Sequence, residues 1–128
     1  MDYKGKGISA APSCAAMVME LMHARTNAHM QHLKTRSYAA HKALGEFYDE
    51  LVGLIDSFSE AYQGRYGLMD FPEVPFKAES DPVMMIKTLR RYIDDNRMMM
   101  VQDSELQNII DEIVALMDST LYKLEFLS

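Results

Sequence analysis

The fold of this chain is decided by residues 37–67, SYAAHKALGEFYDELVGLIDSFSEAYQGRYG. Apolar side chains recur there every three or four positions, which is the spacing of one face of an α-helix. Ser37 is a suitable N-cap, and Gly64 and Gly67 are suitable residues for ending a helix. The stretch therefore predicts a long helix with one buried face, formed by Leu44, Phe47, Tyr48, Leu51, Leu54, Ile55, Phe58 and Tyr62.

Three further helices are predicted around this one. The first begins at Ser13 and runs to about residue 33, the third begins at Asp81 with Pro82 in its first turn, and the fourth begins at Ser104. Asp before Pro is a strong helix start, and serine is a good N-cap. Ser104 and Gln107 also have the spacing of a capping box.

The connections between the helices predict their arrangement. A short polar break, residues 34–37, separates the first two helices, whereas residues 64–80 are long and contain Pro72 and Pro75. The long segment is expected to pack as a crossover that holds a short helix. The prediction is an all-α, ferritin-like four-helix bundle over residues 13–128, with residues 1–12 as a flexible tail.

Composition and charge narrow the classes of function. The chain has 128 residues, 48% of them hydrophobic, and a net charge of −6. Residues 43–128 hold seventeen acidic and seven basic side chains, so most of the chain suits cations better than nucleic acid. Cys14 is the only cysteine, and no apolar run is long enough for a membrane span or signal peptide. A cytoplasmic protein is expected.

Four side chains in the first two helices are candidate metal ligands and catalytic residues. They are His29, His41, Asp56 and Glu60, spaced by 12, 15 and 4 positions. Asp56 and Glu60 share a helix face, but Asp56 lies about 22 Å along the helix from His41. One chain cannot bring all four to one ion, whereas two antiparallel copies related by a two-fold axis could form two equal sites. Mixed histidine and carboxylate ligands suit iron, and also zinc.

Each of these residues also has a simpler interpretation. A histidine near a helix end is commonly exposed or caps the helix, and an Asp–Glu pair one turn apart is commonly a solvated face. His32 could share the face of His29 as an additional ligand or lie exposed, and His23 is expected at the surface. Lys4 and Lys6 beside Asp2 give only a weak signal for binding a polyanion such as DNA.

Residues 27–63 resemble the Dps family, the mini-ferritins of bacteria and archaea. The resemblance rests on the ungapped spacing of His29, His41, Asp56 and Glu60, on YDEL at residues 48–51, and on STLYKLEFLS at residues 119–128. It implies a homo-oligomer, expected to be a twelve-subunit shell, that oxidises Fe(II) with peroxide and stores the ferric product. Many members of that family also bind DNA.

The chain departs from the Dps pattern at two positions near the expected site. Gly45 stands where that family has an acidic ligand, and Met30 stands where it has a tryptophan. The chain is also shorter than typical members. Two alternatives to a ferroxidase therefore stay open. They are a ferritin-like structural or assembly protein that has lost catalysis, and a DNA-binding Dps-like protein.

Overall fold

The computed structural model of the chain describes residues 10–128, with side-chain surroundings from residue 13 onward. Within that range all regular structure is helical, as the sequence predicts. The four α-helices are α1 (Ala10–Lys34), α2 (Tyr38–Tyr66), α3 (Pro82–Asn96) and α4 (Ser104–Phe126), with a one-turn 3-10 helix at Arg97–Met99. None of the helices between residues 10 and 128 is both long and apolar enough to cross a membrane.

The four helices form a bundle around one core. Helix α1 packs against α2 and α3, and α4 packs against the same two helices, so α2 and α3 lie diagonally opposite. The largest fully buried side chains include Phe47 and Phe58 of α2, Met17 of α1, Ile86 of α3 and Ile113 of α4. Burying side chains of this size stabilises the fold by about 1.5–3 kcal/mol each. The predicted four-helix bundle with a long second connection is confirmed.

The signals at the start of α2 and α3 act as predicted. The Ser37 hydroxyl accepts a hydrogen bond from the Ala40 N–H at 3.1 Å. The Asp81 carboxylate accepts from the N–H groups of Val83 and Met84 at 3.0 and 3.3 Å. These bonds satisfy donors that the first helical turn leaves unpaired. Helix α2 ends at Tyr66 and is capped by Gly67, whose φ of 97° favours glycine.

Two helix starts differ from the prediction. Helix α1 begins at Ala10, so residues 10–12 of the expected tail are helical; the rest of the tail, with Lys4 and Lys6, lies outside the described residues. Helix α4 has Asp103 as its N-cap rather than Ser104. The expected capping box is absent because the Gln107 side chain bonds to Arg97 and Val101 instead.

The crossover, residues 67–81, contains no helix, so the expectation of a short helix there is wrong. Three polar side chains of α1, one per turn, hold its backbone. His23 Nε2 donates to the Val74 carbonyl at 2.7 Å, and Gln31 donates to the Glu79 carbonyl. The Asn27 side-chain amide is oriented so that both of its polar atoms face a suitable partner. Its oxygen accepts from the Glu79 N–H at 3.0 Å, and its nitrogen donates to the Glu79 carbonyl at 3.3 Å. His23 is therefore half-buried rather than a free surface residue.

Candidate histidine site

The turn between α1 and α2 brings three histidines together. His32, on the last turn of α1, lies between His29 of the same helix and His41 of α2. Its ring centroid is 6.2 Å from that of His29 and 3.8 Å from that of His41. The rings of His32 and His41 are stacked, with 17° between their planes. The short polar break at residues 34–37 is what places these two helix ends side by side.

His32 and His41 hold each other by reciprocal hydrogen bonds. His32 Nδ1 donates to the His41 carbonyl at 2.6 Å, and His41 Nδ1 donates to the His32 carbonyl at 2.8 Å. Because a carbonyl oxygen only accepts, each Nδ1 carries its hydrogen, and each neutral ring keeps a lone pair on Nε2. Histidines that ligate a metal commonly have this arrangement, in which the other ring nitrogen donates to a backbone carbonyl.

Gly45 provides the space in which the His32 ring lies. A Cβ atom at position 45 would come within 2.9 Å of His32 Cε1 and 3.1 Å of His32 Nδ1. Carbon atoms essentially never approach so closely, so a larger residue would displace the ring. The position where the Dps pattern has an acidic ligand is thus used here for packing.

Aromatic rings and one cation surround the three histidines. His29 stacks on Tyr48 with 4.3 Å between ring centroids, and Tyr38 lies 6.2 Å from His41. The Arg25 guanidinium lies 5.3 Å from the centre of the Tyr48 ring, close enough for a cation–π interaction. We call the six residues Arg25, His29, His32, Tyr38, His41 and Tyr48 the histidine cluster.

The two predicted carboxylate ligands lie away from the histidine cluster. Asp56 and Glu60 are exposed on α2, about 22 Å and more along the helix from His41. Neither forms an ion pair with another described residue. In residues 10–128 no three side chains of His, Cys, Asp or Glu form a group that could hold a metal ion. In one chain, therefore, the histidines and the two carboxylates lie at separate positions along the α1–α2 hairpin.

The face of the α1–α2 hairpin between these groups is partly apolar. Met22 of α1 is 39% exposed and Val52 of α2 is 37% exposed. Met22 lies one turn before Arg25 and Val52 one turn after Tyr48, so both share the outer helix faces of the histidine cluster. Leu33, next to His32 in the chain, and Tyr38 of the histidine cluster are 70% and 75% exposed. Large apolar side chains grouped on one face are more typical of a contact surface than of a solvated one.

Sequence reasoning missed the central place of His32 and Tyr48. The apolar stripe of α2 predicts Tyr48 in the core, but the residue is half-buried and stacks on His29. The spacing of His32 from His29 placed both on one side of α1, whereas its pairing with His41 depends on how the two helix ends meet. The glycine four positions after His41 was the sequence signal that a ring from α1 could fit there.

Fold and site define this protein as a four-helix bundle with a histidine cluster at one end of its first helical hairpin. Comparison with known proteins shows that the chain belongs to the family described as "Family of unknown function (DUF5856)", whose model matches residues 32–124. An uncharacterized 14.6 kDa protein from the mobD-ri intergenic region of Enterobacteria phage T4 is 35% identical to it over 105 residues, 81% of each chain. No solved structure matches the chain.

The assignment to the Dps family is therefore wrong. It rested on four ligand-type residues and a short flanking motif within one hairpin, and the family that matches most of the chain is a different one. The error has a physical reason, because spacings of 12, 15 and 4 fit any hairpin of two long helices. Gly45 breaks the Dps pattern and has its own packing role here.

Proposed function

We propose that this protein binds a first-row divalent metal ion at two equal sites shared between two copies of the chain. Each site takes His29 and His41 from one copy and Asp56 and Glu60 from the other. The hydrogen bond from His41 Nδ1 to a backbone carbonyl is the observation that carries the proposal, because it orients Nε2 as a free lone-pair donor. Iron is the expected ion, and zinc is the next.

A two-fold axis across the outer face of the α1–α2 hairpin would bring these residues together. With two α2 helices antiparallel, the His41 end of one copy faces the Asp56 end of the other. Val52 lies between the two ends, and its 37% exposure supplies an apolar contact near the axis. A dimer also explains why Asp56 and Glu60 form no ion pair with described residues of their own chain.

The ligand set determines which chemistry these sites support. Two carboxylates neutralise a divalent cation, and two neutral imidazoles provide the nitrogen ligands that iron and zinc accept. Oxidation of bound Fe(II) by hydrogen peroxide is the reaction that we expect in addition. Two Fe(II) ions lose one electron each, and peroxide takes both electrons with two protons and becomes two water molecules.

One specific observation favours a second function, that of a structural or assembly protein. His32 and His41 are stacked and bonded to each other's backbone, so contacts within the chain already orient these two rings. In this alternative the histidines lock the hairpin and its apolar outer face binds another subunit. The same metal titration separates the two functions.

Metal binding is tested by anaerobic titration calorimetry with Fe(II), and in parallel with Zn(II). We expect saturable binding of about one ion per chain, since a C2 dimer carries two equal sites. His41→Ala and Asp56→Asn should each weaken binding at least about tenfold, the size typical of losing a group that supports a metal. Glu112→Gln on α4 is the matched control and should bind as the wild type does.

Two results would contradict this proposal. One is the absence of saturable binding by the wild type, which would favour the structural function. The other is equal binding by the wild type and both variants, which would place the ion elsewhere. Ferric absorbance after peroxide is added to the Fe(II)-loaded protein then tests the oxidation step separately, with the iron-only reaction as the reference.

A further inference from the structure

A cavity separate from the histidine cluster lies between α1, α3 and the crossover. Its volume is about 460 Å³, within the range of sites for small ligands. Ala24, Met85 and Leu89 give it an apolar wall, and Val74 and Pro75 of the crossover border it on another side. The cavity exists because the crossover, held to α1 by its backbone, leaves the space between α1 and α3 incompletely filled.

One end of this cavity is acidic. Glu20 of α1 and Tyr92 of α3 line it there. Burial raises the pKa of the Tyr92 phenol, and the negative charge of Glu20 raises it further, so the two groups lie within electrostatic reach of each other. A carboxylate beside a phenol, next to an apolar wall, suits an ammonium group.

The other end of the cavity carries the positive charge of Lys77. Lys77 lies on the crossover between Val74, which bonds to His23, and Glu79, which bonds to Gln31. This path puts Lys77 near the level of Asn27, seven residues along α1 from Glu20. At 1.5 Å per residue, the levels of Glu20 and Lys77 along α1 differ by about 10 Å.

We propose that this cavity binds a short peptide with free termini, about three residues long. An extended peptide spans about 3.3–3.6 Å per residue, so three residues match this difference in level along α1. The ammonium group of the peptide would lie at Glu20, its carboxylate at Lys77, and an apolar side chain against Met85 and Leu89.

The surrounding charges agree with this orientation of the ligand. Glu79 also lines the cavity, but its carboxylate accepts a hydrogen bond from the Asp81 N–H at 3.3 Å, which turns it toward the start of α3. Neither Glu20 nor Lys77 forms an ion pair with another residue of the described chain. Among the described residues, neither charge has an ion-pair partner that a ligand would have to displace.

The test uses the full chain and the peptide alanyl-leucyl-alanine in titration calorimetry. Two blocked forms, one acetylated at its amino terminus and one amidated at its carboxyl terminus, each remove one charge from the same peptide. We expect saturable binding of the free peptide and about fivefold weaker binding of each blocked form, the size of one partly exposed ion pair. This comparison needs no variant protein.

Two variants then assign each terminus to its partner. Glu20→Gln should weaken binding of the free peptide about fivefold. It should leave binding of the acetylated form unchanged, because that form has no ammonium group for Glu20 to bind. Lys77→Gln should do the same with the amidated form, and Lys42→Gln on α2 is the control. Absence of saturable binding, or equal binding of free and blocked peptides, would overturn the proposal.

Discussion

Gly45 is the residue on which the histidine cluster most directly depends. Its missing side chain leaves room for the His32 ring, and that ring stacks on His41. The geometry makes a glycine in the middle of α2 favourable, although glycine normally weakens a helix by about 0.5–1 kcal/mol relative to alanine.

Gly45→Ala is therefore expected to destabilise the protein. The added methyl group overpacks against His32, which costs about 1–3 kcal/mol, and better helix propensity offsets about 1 kcal/mol of that. A net loss of about 1 kcal/mol in the free energy of unfolding should appear in urea titration. Gly53→Ala is the matched control in the same helix, because no atom lies within 4 Å of its Cβ position. That variant should gain about 0.5–1 kcal/mol; equal gains for both would contradict the role of Gly45.

Asn27 is the residue that most directly fixes the crossover to α1. It is 4% exposed, and its amide bonds both polar groups of the Glu79 peptide. Asn27→Leu removes the partner of the Glu79 N–H and leaves the Glu79 carbonyl with the Gln31 donor, at a cost of about 1–3 kcal/mol. We expect faster amide hydrogen exchange across residues 74–79, while exchange in α2 stays slow. Thr26→Leu, on the exposed side of α1, is the control; slow exchange of residues 74–79 in Asn27→Leu would show that the crossover is held by other contacts.

At the scale of whole elements, periodicity predicted α2 correctly and could not predict the crossover. The apolar stripe of α2 requires only the repeat of a helix, so its ends and buried face follow from local sequence. The path of residues 67–81 depends instead on side chains of α1 more than 45 positions away, such as His23 and Gln31. No local pattern in the crossover encodes those partners.

The same reasoning applies to the candidate site. The spacing of His41, Asp56 and Glu60 on one helix is a local property, and the separation of the carboxylates from the histidines follows from it. The stacking of His32 on His41 depends on how two helix ends meet, and no local sequence pattern predicts that geometry. The family assignment failed for a related reason, since four positions in one hairpin carry little information about the rest of the chain.

The junction between α2 and α4 gives the fold a dependence on pH. The Tyr66 hydroxyl donates to the Asp103 carboxylate at 2.5 Å. This bond lowers the pKa of Asp103 and raises the pKa of Tyr66 to about 12. Because the Asp103 pKa is lower in the folded state, its stabilisation is present at neutral pH and is lost as pH falls through that pKa.

Tyr66→Phe should therefore flatten the dependence of stability on acid. Without the phenol donor, the unfolding free energy should fall less between pH 7 and pH 3 than it does in the wild type. Urea titration at a series of pH values measures the difference, and Tyr122→Phe on the exposed side of α4 serves as the control. Identical pH profiles for wild type and Tyr66→Phe would show that this hydrogen bond contributes nothing to stability in solution.

At the scale of the whole molecule, the proposed dimer uses the partly apolar outer face of the α1–α2 hairpin. A two-fold axis that pairs His41 with Asp56 and Glu60 passes near residue 50 of α2, so the two copies of Val52 lie within about two helical turns of each other. Val52→Asp would then place two carboxylates in an apolar contact near the axis, so we expect the dimer to dissociate. Sedimentation equilibrium measures the change, with Ala115→Asp on the exposed face of α4 as the control. A wild-type monomer, or an unchanged Val52→Asp dimer, would exclude this face as the interface.

The central claim, a metal site shared between two copies, is tested most directly by mixing two inactive variants. Asp56→Asn with Glu60→Gln removes the carboxylates, and His29→Gln with His41→Gln removes the histidines, so neither variant alone can form a site. After equal amounts are unfolded and refolded together, random pairing should restore about a quarter of the wild-type metal sites, one in each mixed dimer. A mixture that binds no more Fe(II) or Zn(II) than its two components bind separately would contradict the claim.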